Sequence, residues 1–280
     1  MKLLRLGPAG QEKPAMLDEN GEYRDISSLV NDVSGDTLLP ENLSSLKQAD
    51  VSQLPVINAH ERIGACVGNI GKFICIGLNF EDHAREAKMD IPAEPIVFNK
   101  WTSAVCGPND DIIKPKNSTE MDWEVELAIV IGKPGVYIDE ADAHQHIAGY
   151  CVVNDVSERE FQLKRCGQWD KGKGCDTFGP IGPWLVTPDE IPNILDLKMT
   201  LDVNGKRYQD GNTCNMIFKP EYIVSYLSQF MSLQPGDVIS TGTPFGVGMG
   251  LSPPVFLNVG DKMTVEIEHL GVQHQQVVAV

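Results

Sequence analysis

Apolar runs of strand length recur along this chain, and few segments carry helical spacing. Lys72–Gly77, Ile96–Phe98, Ile129–Ile131, Ile147–Val153, Leu197–Val203, Val238–Ser240 and Lys262–Ile267 each read as a strand. Near the start, Leu3–Leu6 and Pro14–Leu17 read as a strand pair joined through a polar turn. Asn20-Gly21 is a further turn signal, and two short apolar segments, Ile26–Leu29 and Asp36–Leu39, follow. Asn204-Gly205 predicts a hairpin. Helical character is expected over Pro40–Lys47, Phe80–Met89, Glu140–Gln145 and Ser157–Arg165. Strands outnumber helices and do not alternate with them, which predicts a β-rich α+β fold and not a doubly wound sheet. Proline and glycine punctuate residues 55–70. The expected division is a small N-terminal β-containing domain, 1–68, and a main domain, 69–280.

One apolar run carries charge inside it. Trp123-Glu124-Val125-Glu126-Leu127-Ala128-Ile129-Val130 is a strand by composition, with Glu124 and Glu126 on one face, roughly 7 Å apart. Two like charges on a half-buried face need shared protons, basic partners or a bound cation. Asp155 offers a third acid, after the strand that ends at Val153 and before the helix expected near Ser157. Three carboxylates from two strand ends form an all-oxygen set suited to Mg²⁺, Mn²⁺ or Ca²⁺. A carboxylate at a helix start is also an ordinary N-cap, and the E-x-E…D spacing alone does not choose between these readings. Arg159 and Gln162 lie four and seven residues after Asp155, on the helical face below it. Arg159 can orient that acid or meet a substrate carboxylate with its planar fork. A surface Asp–Arg pair of little energetic weight is the plainer alternative.

Three more segments can carry chemistry. His83 and Glu86, at i and i+3, can meet on a helix. A carboxylate holding one imidazole nitrogen leaves the other free to take a proton from water; a surface His–Glu contact in a charged helix is the plainer reading. Lys88–Pro95, with Pro92 and Pro95, reads as a loop able to serve as a lid. In Trp169–Pro180, glycines around Lys171 and Lys173 allow close backbone approach to a ligand, and a lysine there can stabilise an oxyanion; a solvated loop is the simpler reading. Lys100, after the Ile96 strand, is a lesser substrate-contact candidate with a structural reading beside it. Ser240–Gly248 (STGTPFGVG) is neither a phosphate-binding loop nor a dinucleotide fingerprint, but its amides and the Thr243 hydroxyl can bind a carboxylate; a tight turn is the plainer alternative.

Composition narrows the function classes. A net charge of −16 over 280 residues argues against nucleic acid and against an anionic membrane surface. An anionic substrate must then be drawn in by a local cation or by individual lysines, against the global field. The seven cysteines form no CxxC pair, so reduced thiols are expected and a zinc–thiolate site is not. The first residues lack a long apolar stretch, so a cytoplasmic protein without a signal peptide is expected.

Over residues 70–280 these segments, in this order, resemble the fumarylacetoacetate hydrolase superfamily. The resemblance rests on Ile76-Gly77-Leu78-Asn79-Phe80 with His83 and Glu86, and on Glu124-x-Glu126. It rests further on Asn154-Asp155-Val156-Ser157-x-Arg159, Lys173-Gly174-Cys175-Asp176-Thr177 and Thr241-Gly242-Thr243-Pro244-x-Gly246-Val247-Gly248. It implies a mixed β-roll catalytic domain, a homodimer or larger homo-oligomer, and Mg²⁺ or Mn²⁺ on Glu124, Glu126 and Asp155. It implies a water-activating His83–Glu86 pair on a segment that orders when substrate binds, and Lys173 as the active lysine with Lys171 as its rival. Arg159, Gln162 and Thr243 fall on positions associated with substrate or lid contacts. The leading residues and the run 154–186 look most like bacterial enzymes that hydrolyse 2,4-diketo-3-deoxy sugar acids, whose relatives often carry the label ureidoglycolate lyase.

The implied activity is metal-dependent hydrolysis of a C–C bond in a small anionic acylpyruvate-type keto acid, giving pyruvate and a second acid. The same site suits oxaloacetate decarboxylation or isomerisation of a hydroxy-diene dioate. A module that binds metal and ligand without turnover is the non-enzymatic alternative.

Overall fold

Two open sheets organise the computed structural model, which describes residues 1–280. The larger has ten strands in the order 56–57, 23–25, 13–17, 2–6, 185–186, 147–154, 125–131, 238–240, 73–77 and 96–100. The smaller has five, in the order 206–212, 198–203, 262–267, 271–279 and 112–114. Pairing is mostly antiparallel. Val238–Ser240 runs parallel to Phe73–Gly77, and Gly271–Ala279 parallel to Ile112–Lys114. The β-rich α+β class expected from the apolar pattern is observed.

The Val125–Ile131 strand is buried throughout. One face (Val125, Leu127, Ile129, Ile131) packs against Met199, Leu201, Val265 and Ile267 of the smaller sheet. The other (Ala128, Val130) packs with Leu3, Met16, Leu43 and Leu46 of the leading residues. Coverage on both sides explains the near-continuous apolar run. Each large side chain so buried contributes roughly 2 kcal/mol. Glu124 and Glu126 sit at the start of this strand on the second face, where apolar packing gives way to a cavity.

The first 68 residues add four antiparallel strands that continue the larger sheet through pairing of Lys2–Leu6 with Leu185–Val186. The helix there, Pro40–Gln48, has proline at its first position and buries Leu43 and Leu46. Ile26–Leu29 is a turn following a strand at Tyr23–Asp25, and Asp36–Leu39 lies mostly in a 3₁₀ turn. Asn204 and Gly205 take positive φ of 53° and 78° between the strands 198–203 and 206–212, the hairpin expected of this dipeptide.

The helix expected from Ser157 begins at Arg159 and ends at Leu163, because Ser157–Glu158 pairs as a short strand with Met121–Asp122. A helix at Pro220–Ser228 has no counterpart in the sequence reading, although Pro220 at its first turn and buried Ile223, Val224 and Leu227 account for it. No helix is long and apolar enough to cross a membrane.

Candidate active site

Strand register brings the three acids together. Val125 lies opposite Asn154, and one step further out the Asp155 amide donates to the Glu124 carbonyl at 2.9 Å. Glu124 and Asp155 are therefore cross-strand neighbours, and Glu126 follows Glu124 on the same face. Each can offer an oxygen such that all three lie within 4.8 Å of one another, and all three residues are buried. Asp155 is not a helix cap. That place belongs to Glu158, whose carboxylate accepts the Glu160 amide at 3.1 Å.

Three buried cations interleave with these acids. Lys173 Nζ donates to Glu124 Oε2 and to Asp155 Oδ2, each at 2.8 Å. Its helix turn, Asp170–Lys173, buries Gly172 and Lys173, so this lysine is not on a solvated loop. Lys171 faces away and donates to the Arg165 carbonyl at 2.9 Å. Lys100 Nζ is bonded to Asp155 Oδ1, to the Val156 carbonyl at 3.0 Å and to the Lys173 carbonyl at 2.5 Å. Those three acceptors account for its ammonium, which corrects the expectation of a substrate contact: Lys100 ties Asp155 to the Lys173 turn.

Arg159 bonds Asp122 Oδ2 through Nε at 2.8 Å and Glu124 Oε1 through Nη2 at 2.6 Å. It does not reach Asp155, since the intervening short strand removes Asp155 from the helical face. Its Nη1 donates to Gln162 Oε1 at 3.1 Å. That bond turns the Gln162 amide group, a donor pair, toward the cavity that both residues line.

The glycine-rich segment after Ser240 binds carboxylates, but they are the protein's own. The Gly242 amide and the Ser240 hydroxyl donate to Glu126 Oε2 at 2.9 and 2.5 Å. The Gly246 amide donates to Glu86 Oε1 at 2.9 Å. The Gly248 and Met249 amides hold the two oxygens of Asp122 at 2.6 and 3.0 Å. Gly246 has a φ of 97°, and a Cβ there would collide with the Tyr208 carbonyl, so this amide position demands glycine. Thr243 lines the cavity, but its hydroxyl donates to the Val125 carbonyl at 2.9 Å and accepts from Gln209 at 2.8 Å. Its one O–H braces the strand, so the hydroxyl has no hydrogen left to give a substrate carboxylate.

Across the cavity from the acids, His83 and Glu86 meet on the helix Glu81–Ala87, with His83 Nδ1 3.2 Å from Glu86 Oε2. His83, Glu124, Glu126, Arg159, Gln162 and Lys173 line one cavity of about 170 Å³.

Charge placement fits a divalent cation. Burial opposes ionisation of Glu124, yet Lys173 and Arg159 hold its carboxyl below the usual range. Burial, and then Asp155 and Glu124, push Glu126 well above that range. Burial also opposes the Lys173 ammonium, and Asp155 and Glu124 raise its pKa against that opposition. Glu126 alone of the three acids has no cationic side chain bonded to it, so the triad is under-neutralised on its side. Opposed oxygens around six-coordinate Mg²⁺ lie about 4.2 Å apart and around Ca²⁺ about 4.8 Å. The spread of the three carboxylates matches that scale, and their donor chemistry is that of a hard cation.

A family model described as fumarylacetoacetate (FAA) hydrolase, C-terminal, matches residues 72–278. The chain belongs to the fumarylacetoacetate hydrolase family. A relative in Burkholderia multivorans, provisionally named a hydrolase, is 59% identical over 276 residues, 98% of each chain. A solved 2-hydroxyhepta-2,4-diene-1,7-dioate isomerase from Mycobacterium marinum is 33% identical with a TM-score of 0.77, over 100% of this chain and 98% of that one. The maleylpyruvate hydrolase from Sphingobium sp. SYK-6, solved with manganese(II) and pyruvate, is 28% identical with a TM-score of 0.83, over 100% and 99%.

Within this member of the fumarylacetoacetate hydrolase family, Asp122 is the principal residue absent from the sequence reading. The signal was there: Asp122, Glu124 and Glu126 alternate, so the acidic face begins one step earlier. Asp122 receives the loop amides and holds Arg159, which in turn holds Glu124. In Asp122→Asn one oxygen still accepts from Gly248 and Trp123, while the new amide group faces Met249 N and Arg159 Nε, donor against donor. The expected cost is about 2–4 kcal/mol in urea unfolding. Mn²⁺ affinity, titrated where both proteins remain folded, is expected to fall about 10- to 100-fold. Unchanged metal affinity would show that the Asp122–Arg159 relay does not position Glu124.

Proposed function

We propose that this protein is a divalent-metal-dependent hydrolase that cleaves the C–C bond of acylpyruvate-type 2,4-diketo acids, giving pyruvate and a carboxylic acid. The observation that carries this reading is that His83, held by Glu86, shares one small cavity with Glu124 and Glu126 of the acid triad and with the buried Lys173 that joins Glu124 to Asp155. Glu124, Glu126 and Asp155 would hold Mg²⁺ or Mn²⁺, the latter supported by the manganese of the maleylpyruvate hydrolase. When bound, the ion supplies Lewis-acid polarisation of the keto-acid end and offsets its negative charge.

The remaining work falls to the chain's own groups. Glu86 holds His83 Nδ1, and Nε2 takes a proton from water. The hydroxide adds to the distal carbonyl carbon. Lys173, with two N–H bonds on carboxylates, has a third to give the developing oxyanion, worth roughly 3 kcal/mol in such roles. The C–C bond then breaks with its electron pair on the pyruvate half, where a proton is taken up. The narrower substrate we propose is a 2,4-diketo-3-deoxy sugar acid whose second product is lactate. A homo-oligomer and a cytoplasmic location belong to this reading; seven unpaired cysteines support a reducing compartment.

The likeness to the M. marinum isomerase favours one second reading, isomerisation of a hydroxy-diene dioate, which needs proton transfer without water attack. A coupled pyruvate-release assay over a panel of 2,4-diketo acids with Mg²⁺ or Mn²⁺ separates the readings. Hydrolysis predicts pyruvate and acid in equal amounts, lost at least about 100-fold after EDTA and restored by metal. A rearranged product without pyruvate moves the assignment to isomerase. Pyruvate with CO₂ moves it to decarboxylase, and full activity after EDTA removes the metal from the reading.

A further inference from the structure

We infer that the site accepts a keto acid whose distal arm is short and uncharged, and excludes a second carboxylate. This rests on the proposed function for the keto-acid end and adds the chemistry of the other end. Beyond the acids and Lys173, the wall carries His83, Arg159, Gln162 and Thr243, each already hydrogen-bonded within the protein, and is otherwise apolar, with Phe98 and Trp169 packed edge to face at 5.4 Å and Leu78 lining the same cavity. Three apolar side chains at the same cavity stand open to solvent: Met89 is 54% exposed, Leu163 43% and Met249 37%. Apolar side chains gathered at an opening mark a surface that an uncharged group covers.

Charge accounting gives the same answer independently. Five carboxylates stand at the site, Asp122, Glu124, Glu126, Asp155 and Glu86, against three buried cations, Lys100, Arg159 and Lys173, which pair with Asp122, Glu124 and Asp155; Glu86 meets His83. A divalent ion brings that set to neutrality, so the carboxylate of the keto-acid end already leaves one negative charge in excess, and a second carboxylate would leave two. No cation is left for another. The basic residues near the rim are turned elsewhere: Lys164 binds Glu120, Arg165 binds Glu160, and Lys171 donates to the Arg165 carbonyl. Lys88, beside Met89, does not line the cavity. A distal carboxylate would therefore be desolvated against apolar side chains without a partner. The cavity, about 170 Å³, also limits the arm to a few carbons, since drug-sized sites run from about 300 Å³ upward. A methyl-terminated arm bearing at most one hydroxyl meets these conditions, with the Gln162 amide as the one neutral donor available to it. The 1,7-dioate named for the M. marinum isomerase does not.

The test uses the Mn²⁺-loaded protein and two non-cleavable keto acids of equal length, 2-oxopentanoate and 2-oxoglutarate, titrated by calorimetry. 2-Oxopentanoate is expected to bind about 100-fold more tightly. Leu163→Arg, which places a cation at the rim, is expected to narrow that ratio at least about tenfold by tightening 2-oxoglutarate. Equal or tighter binding of 2-oxoglutarate to the unaltered protein overturns the inference, as does a ratio that Leu163→Arg leaves unmoved. Because neither ligand is cleaved, these outcomes stand apart from the pyruvate assay. Failure of hydrolysis with the binding preference intact would count against the proposed reaction and not against the uncharged arm.

Discussion

Replacing Glu126 by glutamine is expected to abolish retention of a divalent ion and to cut pyruvate release by about 10³-fold, roughly 4 kcal/mol of barrier, in a chain that stays folded. The reason lies in what each acid does besides face the cavity. Glu126 accepts from Ser240 and from the Gly242 amide and pairs with no cation. A glutamine oxygen keeps both bonds, so the variant removes a negative ligand and little else. Glu124 is a poorer choice. Its alanine variant strips the partner from Arg159 and Lys173 together, and an uncompensated buried charge typically costs 3–5 kcal/mol. Lost activity in Glu124→Ala would then mix misfolding with metal loss. For Glu126→Gln the measurements are calorimetric Mn²⁺ titration, the thermal midpoint and pyruvate release. Wild-type metal affinity in a folded Glu126→Gln protein would remove this residue from the ligand set.

That difference between Glu124 and Glu126 marks the limit of what the chain shows as a linear string. Alternation alone places both acids on one face, since residues two apart on a strand share a side. The place of Asp155 beside them depends on the register of Val125 against Asn154, and that is set by burial of both strands and not by local spacing. Where tertiary pairing intervenes, local rules gave the wrong partner. Helical periodicity tied Arg159 to Asp155, but two residues diverted into a strand shifted the helix and handed Arg159 to Asp122 and Glu124. The glycine-rich run was legible as a carboxylate-binding loop. Which carboxylates it binds was not, because Glu86, Asp122 and Glu126 approach it from three separate elements. Through Gly242, Gly246 and Gly248 one loop fixes an acid of the triad, the partner of His83 and the anchor of Arg159. A density of glycine and proline that reads as flexibility along the chain is here a set of oriented amides.

Glu86→Gln is expected to damage hydrolysis more than Glu86→Ala does, by about tenfold, even though glutamine is the closer mimic. The Gly246 amide donates to Glu86 Oε1, while Oε2 faces His83 Nδ1. In the glutamine variant the amide oxygen stays with Gly246, and the new NH₂ is left facing Nδ1. Nδ1 must then accept, so the proton moves to Nε2, the atom required to take a proton from water. Alanine imposes no such tautomer and leaves the ring a choice. Amide substitution behind a histidine base lowers turnover by as much as about 10⁴ by this route in serine proteases. His83→Ala removes the base itself and is expected to lose about 10²- to 10⁴-fold in hydrolysis. Mn²⁺ affinity should stay within about twofold, since His83 bonds none of the three acids and the ligand set is unchanged. Pyruvate release and metal titration on the three variants settle the assignment together. If Glu86→Gln retains more activity than Glu86→Ala, the carboxylate does not select the tautomer. Wild-type turnover in His83→Ala would place the base elsewhere in the cavity.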